Sequence, residues 1–180
     1  MKRKKPPQDH TSHAVPMTSV QCQVIGHVRS PYKERFGTPR QPVVTVQVLD
    51  DRAQDAEIEL IPGCNFEQAL KDLEGFEYIW VLAWLHLNEG WNVQVTPPRG
   101  AKIKRGLFAT RAPHRPNPIG LSALKLTGID GRKLKVRGID LLDGTPVLDI
   151  KPYIPYTDAF PAAKAGWLEG LNQEEGDRLE

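Results

Sequence analysis

The sequence predicts an all-β fold, a small closed or partly open β-barrel of about seven or eight strands with one short helix. Three observations predict it. Short segments that are β-branched or alternate polar with apolar residues recur along the chain. Strand and helix patterns never alternate as a parallel sheet would require. Two Asp-Gly pairs, Asp130-Gly131 and Asp143-Gly144, mark tight turns between such segments. The 180 residues suffice for one domain with a real core, flanked by tails.

The elements follow in order. Residues 1–18 read as a disordered basic tail, because Lys2, Arg3, Lys4 and Lys5 repel one another and Pro6, Pro7 and Pro16 block regular structure. The folded domain is expected over 19–160, and 161–180 as a C-terminal tail without a clear core face. Cys22–Val28 alternates loosely. Val43, Val44, Val46 and Val48 form a β-branched strand, and Glu57–Ile61 alternates charge with apolar residues. Phe66–Leu73 is the best helix: Asn65 can cap it, and Phe66, Ala69, Leu70 and Leu73 share a face, with Gly75 at its end. Tyr78–Leu87 is nearly all apolar and reads as a strand buried on both sides, with helix the alternative that its length leaves open. Trp91–Val95 and Gly106–Thr110 are short strands. A type I′ turn at Asp130-Gly131 joins Leu121–Ile129 to Lys133–Arg137, and Asp143–Pro146 turns into Val147–Ile150. Trp80, Trp84 and Trp91 are expected as core aromatics.

Composition and spacing exclude several classes. No apolar run reaches the ~18–20 residues of a membrane helix. Cys22 and Cys64 are too few for a disulfide framework, and the basic start leads into prolines rather than an apolar stretch, unlike a secretory signal. A cytoplasmic protein is expected. No two glycines lie two apart, which removes the Gly-rich dinucleotide turn. There is no G-K-[ST] and no G-x-S-x-G. The cysteines lack close Cys or His companions, so no metal site is expected.

The net charge of +2 hides a segregation. Residues 99–137 carry 11 Lys and Arg and one acid, a balance of +10, whereas 49–77 carry nine acids and two bases. The first segment is expected to form a basic face for phosphates.

Three segments are unlike ordinary surface. In Arg29–Pro42 three prolines stiffen a loop rich in arginine. In Gly106–Ser122, three prolines hold Arg111, His114, Arg115 and Asn117 within seven residues; arginine brings a planar fork of donors, and Asn both donor and acceptor. In Gly138–Tyr153, Asp140, Asp143 and Asp149 lie among apolar residues, where a carboxylate needs a partner. Asp143 reads as a turn residue and Asp149 as an ion-pair member. His86 closes the apolar run, and from position alone reads as a core histidine.

The strings IGHVRSPYKERFGTPRQP, FEYIWVLAWLH, GLFATRAPHRPNPIGLS and IDLLDGTPVLDIKPY together resemble the TsaA-like (TrmO) tRNA methyltransferase family, over about Cys22–Phe160. The resemblance implies a small β-barrel, a homodimer, and S-adenosyl-L-methionine as cofactor. It implies methylation of N6 of threonylcarbamoyl-adenosine beside the anticodon, with the tRNA anticodon loop as partner. By matching motifs, the cofactor would meet Pro42, Val43, Val44, His86, Leu87, Arg111, Leu121, Gly138, Ile139, Asp140 and Leu141. The chain shows no counterpart of the extra C-terminal domain of longer members. The tRNA would then be gripped by the basic segment, the Met1–Lys5 arm or a dimer. Arg115, Asn117, Lys104 and Arg105 are the expected tRNA contacts. The acceptor nitrogen must lose a proton, and Asp140 and Tyr153 are the candidate acceptors by location. Two rival readings stay open: a non-catalytic RNA-binding barrel, and a methyltransferase of another substrate.

Overall fold

The computed structural model describes residues 19–34, 55–98, 100–169 and 171. Its strands are β1 (Gly26–Arg29), β2 (Asp55–Leu60), β3 (Tyr78–Trp84), β4 (Gln94–Val95), β5 (Arg105–Gly106), β6 (Ile119–Asp130), β7 (Lys133–Arg137) and β8 (Pro146–Pro152). Six close into an antiparallel barrel in the order β1-β2-β7-β6-β3-β8, while β4 and β5 pair separately. The closing pair, β1 with β8, is narrow, with only Gly26 opposite Val147 and His27 opposite Pro146. The 1–18 tail, the run Val43–Val48 and the expected cofactor contacts Pro42, Val43 and Val44 lie outside the described residues. Among the described residues, no helix is long and apolar enough to cross a membrane.

The core follows from the period of two. Val28, Ile58, Ile79, Val81, Leu124, Leu134, Val136 and Val147 are fully buried and point inward from the six strands. Ile139 and Leu141, just past β7, complete the core at one end.

Three local expectations are corrected. The first concerns β3, which is buried on one face only: Ile79, Val81 and Ala83 face inward, and Tyr78, Trp80, Leu82 and Trp84 alternate with them, half-buried outside. A closed barrel has a single interior, so the apolar run cannot be buried twice. Trp80 and Trp84 are therefore not core aromatics, and Trp91 is exposed. Tyr153 covers part of the outer stripe, with ring centroids 5.4 Å from Trp80 and 6.3 Å from Tyr78. The indole N–H of Trp80 donates to Asp158 at 2.8 Å.

Next, the helix is one turn, Phe66–Ala69, followed by a 3-10 turn over Leu73–Gly75. Asn65 does not cap it with its side chain; it sits at φ 56°, and Asp72 at φ 67°, left-handed positions that Asn and Asp tolerate. The two left-handed residues bound a segment too short to continue as one helix.

The third is the hairpin turn, which falls one residue later than expected. Asp130 pairs with Lys133, so Gly131 and Arg132 are the central pair. Gly131 has φ 57°, and Arg132 is not left-handed, a pattern with glycine first rather than a type I′ turn.

The charge segregation has a structural origin in strand pairing. β2 lies beside β7 and β3 beside β6, and the acids of 55–77 thereby meet bases of 125–137 along these strands and the turn next to them. Lys133 reaches Glu57 at 3.0 Å, Arg137 reaches Asp55 at 3.2 Å, Lys125 reaches Glu77 at 3.4 Å and Arg132 reaches Glu67 at 3.7 Å. The expected basic face is accordingly smaller than the sequence count suggests. Among the described residues, Lys102, Lys104, Arg105, Arg111 and Arg115 have no ion-pair partner.

Candidate functional site

One end of the barrel collects most of the expected residues. Leu85 N–H donates to the Pro118 carbonyl at 2.7 Å, so the chain leaving β3 runs beside the chain entering β6. His86 and Leu87 lie just past that link, and Leu121 stands on the adjoining outer face of β6, opposite Leu82. Leu87 and Leu121 are exposed, at 67% and 52%. The His114 ring nitrogen Nδ1, 3.2 Å from the Glu89 carbonyl, ties the two loops together.

Past β7 the chain turns at Gly138, φ 86°, and leaves the ladder. It then runs along the first half of β6. There Ser122 Oγ donates to Asp140 Oδ1 at 2.6 Å. Gly120, beside it on β6, faces the side chains of Leu85 and Leu141. The segment is anchored from β1 as well. Ser30 Oγ donates to the Leu141 carbonyl at 2.9 Å, Ser30 N–H to Asp143 Oδ1 at 3.0 Å, and Asp143 N–H to the Tyr32 carbonyl at 2.8 Å.

The carboxyl of Asp140 is pushed up to about 6, first by burial, against the opposing pull of the Ser122 hydrogen bond and the nearby Arg111 guanidinium. The Tyr32 hydroxyl is raised too, by burial and then by the Asp140 charge. These two effects put Arg111, Asp140 and Tyr32 in one electrostatic neighbourhood. Asp143 behaves otherwise: the Lys33 ammonium, 2.6 Å away, leads the groups that hold its carboxyl low. It is a turn residue, and Asp149 pairs with Lys151 at 2.7 Å, as their sequence contexts predict.

Tyr153 is not brought to this end. Its N–H donates to the Tyr78 carbonyl at 3.0 Å, at the start of β3, while His86 follows the end of β3. His86 is exposed rather than a core histidine. Lys104 and Asn117 are exposed, and the Arg105 guanidinium lies 5.2 Å from the Trp167 ring centre. Arg115 turns its guanidinium to backbone carbonyls of its own loop. An open cleft of about 560 Å³ on the β4–β5 arm is lined by Asn92, Val93, Gln94, Val95, Thr96 and Lys104. Among the described residues, no three His, Cys, Asp or Glu side chains gather as metal ligands.

Sequence reasoning missed Ser122, Tyr32 and Trp167. Ser122 carried a usable signal. It is a hydroxyl at an inward position of β6, in register with Leu124 and Leu126, and a buried hydroxyl needs a partner. Trp167 carried none, being an aromatic in an Ala/Gly-rich stretch without periodicity.

Chemically, this end offers an exposed guanidinium and a buried carboxyl pushed up to about 6, with exposed Leu87 and Leu121 on neighbouring outer segments. That set suits a ligand with charged and apolar parts. The tRNA-methyltransferase O N-terminal domain model matches residues 27–159, which include every one of these groups.

The chain belongs to that family. A relative named tRNA (adenine(37)-N6)-methyltransferase, from Escherichia coli (strain K12), is 41% identical over 160 residues, covering 85% of this chain and 66% of the relative. A probable S-adenosyl-L-methionine-binding protein from Methanothermobacter thermautotrophicus is 44% identical over 141 residues, covering 78% of this chain and 95% of the relative. The crystal structure of TrmO from Pseudomonas aeruginosa superposes with a TM-score of 0.69 at 37% identity, covering 86% of this chain and 65% of that one. The chain thus spans less than two thirds of the E. coli and P. aeruginosa family members.

Proposed function

We propose that this chain transfers a methyl group from S-adenosyl-L-methionine to N6 of threonylcarbamoyl-adenosine beside the tRNA anticodon. The observation that carries the reading is the convergence of Arg111, Asp140 and Ser122 with Leu87 and Leu121 at one barrel end, on segments inside the family match.

The residues fit the cofactor by their chemistry. Exposed Arg111 complements its carboxylate. Leu87 and Leu121 offer apolar surface to adenine, with His86 beside them. Backbone groups of Gly138, Ile139, Asp140 and Leu141 line the adjoining wall, and Pro42, Val43 and Val44 complete the proposed set. When bound, the cofactor supplies an electrophilic methyl group on a sulfonium and is left as a neutral thioether.

Asp140 holds the proton that the acceptor N6 must shed. Burial makes its carboxylate more basic than an ordinary aspartate, while Ser122 fixes its orientation. Of the two candidate acceptors, Asp140 has the supporting geometry; Tyr153 packs edge-on and tilted against Tyr78 and Trp80 at the other end. Lys104, Arg105 and Asn117 meet tRNA, a reading that the cleft lined by Lys104 supports. The single-stranded anticodon loop lets the target base be splayed out and read on its edges. The protein acts in the cytoplasm as a homodimer. Exposed Ile119, opposite half-buried Trp84 across the β3–β6 ladder, contributes apolar outer surface suited to self-association.

The test is direct. Purified protein with labelled cofactor is expected to label tRNA carrying threonylcarbamoyl-adenosine. Equal labelling of tRNA lacking the threonylcarbamoyl group overturns the substrate, and tRNA binding without cofactor uptake favours a non-catalytic RNA-binding barrel.

A further inference from the structure

The backbone around Arg111 has little regular structure of its own. A 3-10 turn covers Leu107–Ala109, and the chain then runs extended from Thr110. Its carbonyls are instead held by side chains. Arg115 Nη1 donates to the Thr110 carbonyl at 2.9 Å and lies 3.4 Å from those of Leu107 and Ala112. The carbonyls immediately before and after Arg111 are thus tied to one guanidinium. The same guanidinium lies 5.5 Å from the ring centre of Phe108.

A second hold comes from far along the chain. Trp167, in the 3-10 turn Gly166–Leu168, donates its indole N–H to the Ala109 carbonyl at 2.8 Å. Its ring also receives the Arg105 guanidinium at 5.2 Å. Inside the loop, Thr110 Oγ1 donates to the Leu107 carbonyl at 2.8 Å and accepts from Ala112 N–H at 3.3 Å. The Arg111 side chain itself has no ion-pair partner among the described residues. The hydrogen bonds of Arg115 and Trp167 hold the backbone on either side and leave the Arg111 guanidinium between them.

We propose that Arg115 and Trp167 are positioning residues, which clamp the 107–112 backbone so that Arg111 meets the methyl donor's carboxylate in one preset geometry. The inference rests on the cofactor reading above. A preset loop spares the ligand the cost of ordering it, so loosening the clamp weakens binding without removing any group that touches the ligand. Arginine suits the task because its planar fork spans several carbonyls, whereas lysine is a single point charge.

Calorimetry with S-adenosyl-L-homocysteine tests this. R111A is expected to weaken binding about a hundredfold, R115A about tenfold and W167F about threefold. R115K should resemble R115A, although a phosphate contact would survive that exchange in part. The deciding measurement is a cycle: in an R111A background, W167F and R115A should add nothing further. W167F keeps an aromatic side chain but removes the indole N–H together with the pyrrole ring, so it carries the test even where R115A fails to fold. Parental affinity in W167F and R115K, with R111A weakened, overturns the clamp alone. So do equal losses with and without Arg111. Parental affinity in R111A overturns the role of Arg111 and the clamp with it, and a parent protein that binds no S-adenosyl-L-homocysteine overturns both readings.

Discussion

Asp140 is pulled in two directions. Burial favours its neutral acid, while the Ser122 hydroxyl and the Arg111 charge favour the carboxylate, and burial prevails. The proposed proton acceptor must be ionised to work, so methyl transfer is expected to fall on the acid side with an apparent midpoint near the carboxyl's value of about 6. Removing the Ser122 hydroxyl deletes a hydrogen bond to the ionised form, which raises the carboxyl further. S122A should therefore lower kcat/KM roughly fivefold at about pH 6 and little at about pH 9. Parallel pH–rate profiles of parent and variant check this; superimposable acid limbs would show that Ser122 does not tune the reacting group. At this scale the sequence was partly legible. Arg111 and Asp140 stand out because a charged group in a proline-stiffened or apolar context must have a purpose or a partner. The pairing of Asp140 with Ser122 was not legible, because it joins residues 18 apart across the β6–β7 hairpin, beyond a bulge between Leu126 and Gly128 that shifts the register.

Among the barrel strands, β1 is the shortest and closes the barrel. Gly26 starts it and pairs with β2 on one side and β8 on the other. A Cβ at Gly26 would fall 2.7 Å from the Glu59 carbonyl oxygen and 3.1 Å from the Leu60 Cα, both backbone atoms that cannot swing aside. G26A is expected to cost about 1–3 kcal/mol, read as a lower urea midpoint at unchanged slope. G131A provides the contrast, since nothing lies within 4 Å of its Cβ and only its left-handed φ of 57° resists the change. Strand existence was readable from alternation, and β2, β6, β7 and β8 fall close to the expected spans. Two features misled. In β3, large apolar residues on the outer face mimic a doubly buried strand. At Asn65, a residue type that often caps helices instead takes a left-handed turn. The choice depends on where the neighbouring elements sit, and a local pattern does not contain that.

Over the whole molecule, charge is laid out in two regimes. On one wall, β2 and β7 neutralise each other through exposed pairs that contribute little stability individually. Around the β4–β5 arm and the Arg111 loop, Lys102, Lys104, Arg105 and Arg111 keep their charge uncompensated among the described residues. On the proposed function, this second region is the one that would attract an anionic polymer. K104A is expected to weaken tRNA binding and to reduce the slope of log affinity against log salt by about 1, whereas K133A should leave both nearly unchanged. Binding titrations at several salt concentrations decide between them, and equal effects of the two variants would refute the division. The count of basic residues along the chain exposed the asymmetry but not its partial cancellation, which depends on which strands become neighbours.

The narrow meeting of β1 with β8 also sets the order in which the molecule is completed. Gly26 and Val147 are roughly 120 residues apart in the chain. As the polypeptide emerges from the ribosome, β1 and β2 wait for β7, and β1 waits longer still for its second neighbour. Until β8 is released, both β1 and β3 present bare strand edges, which makes this interval the time at which nascent chains are most prone to stick to one another.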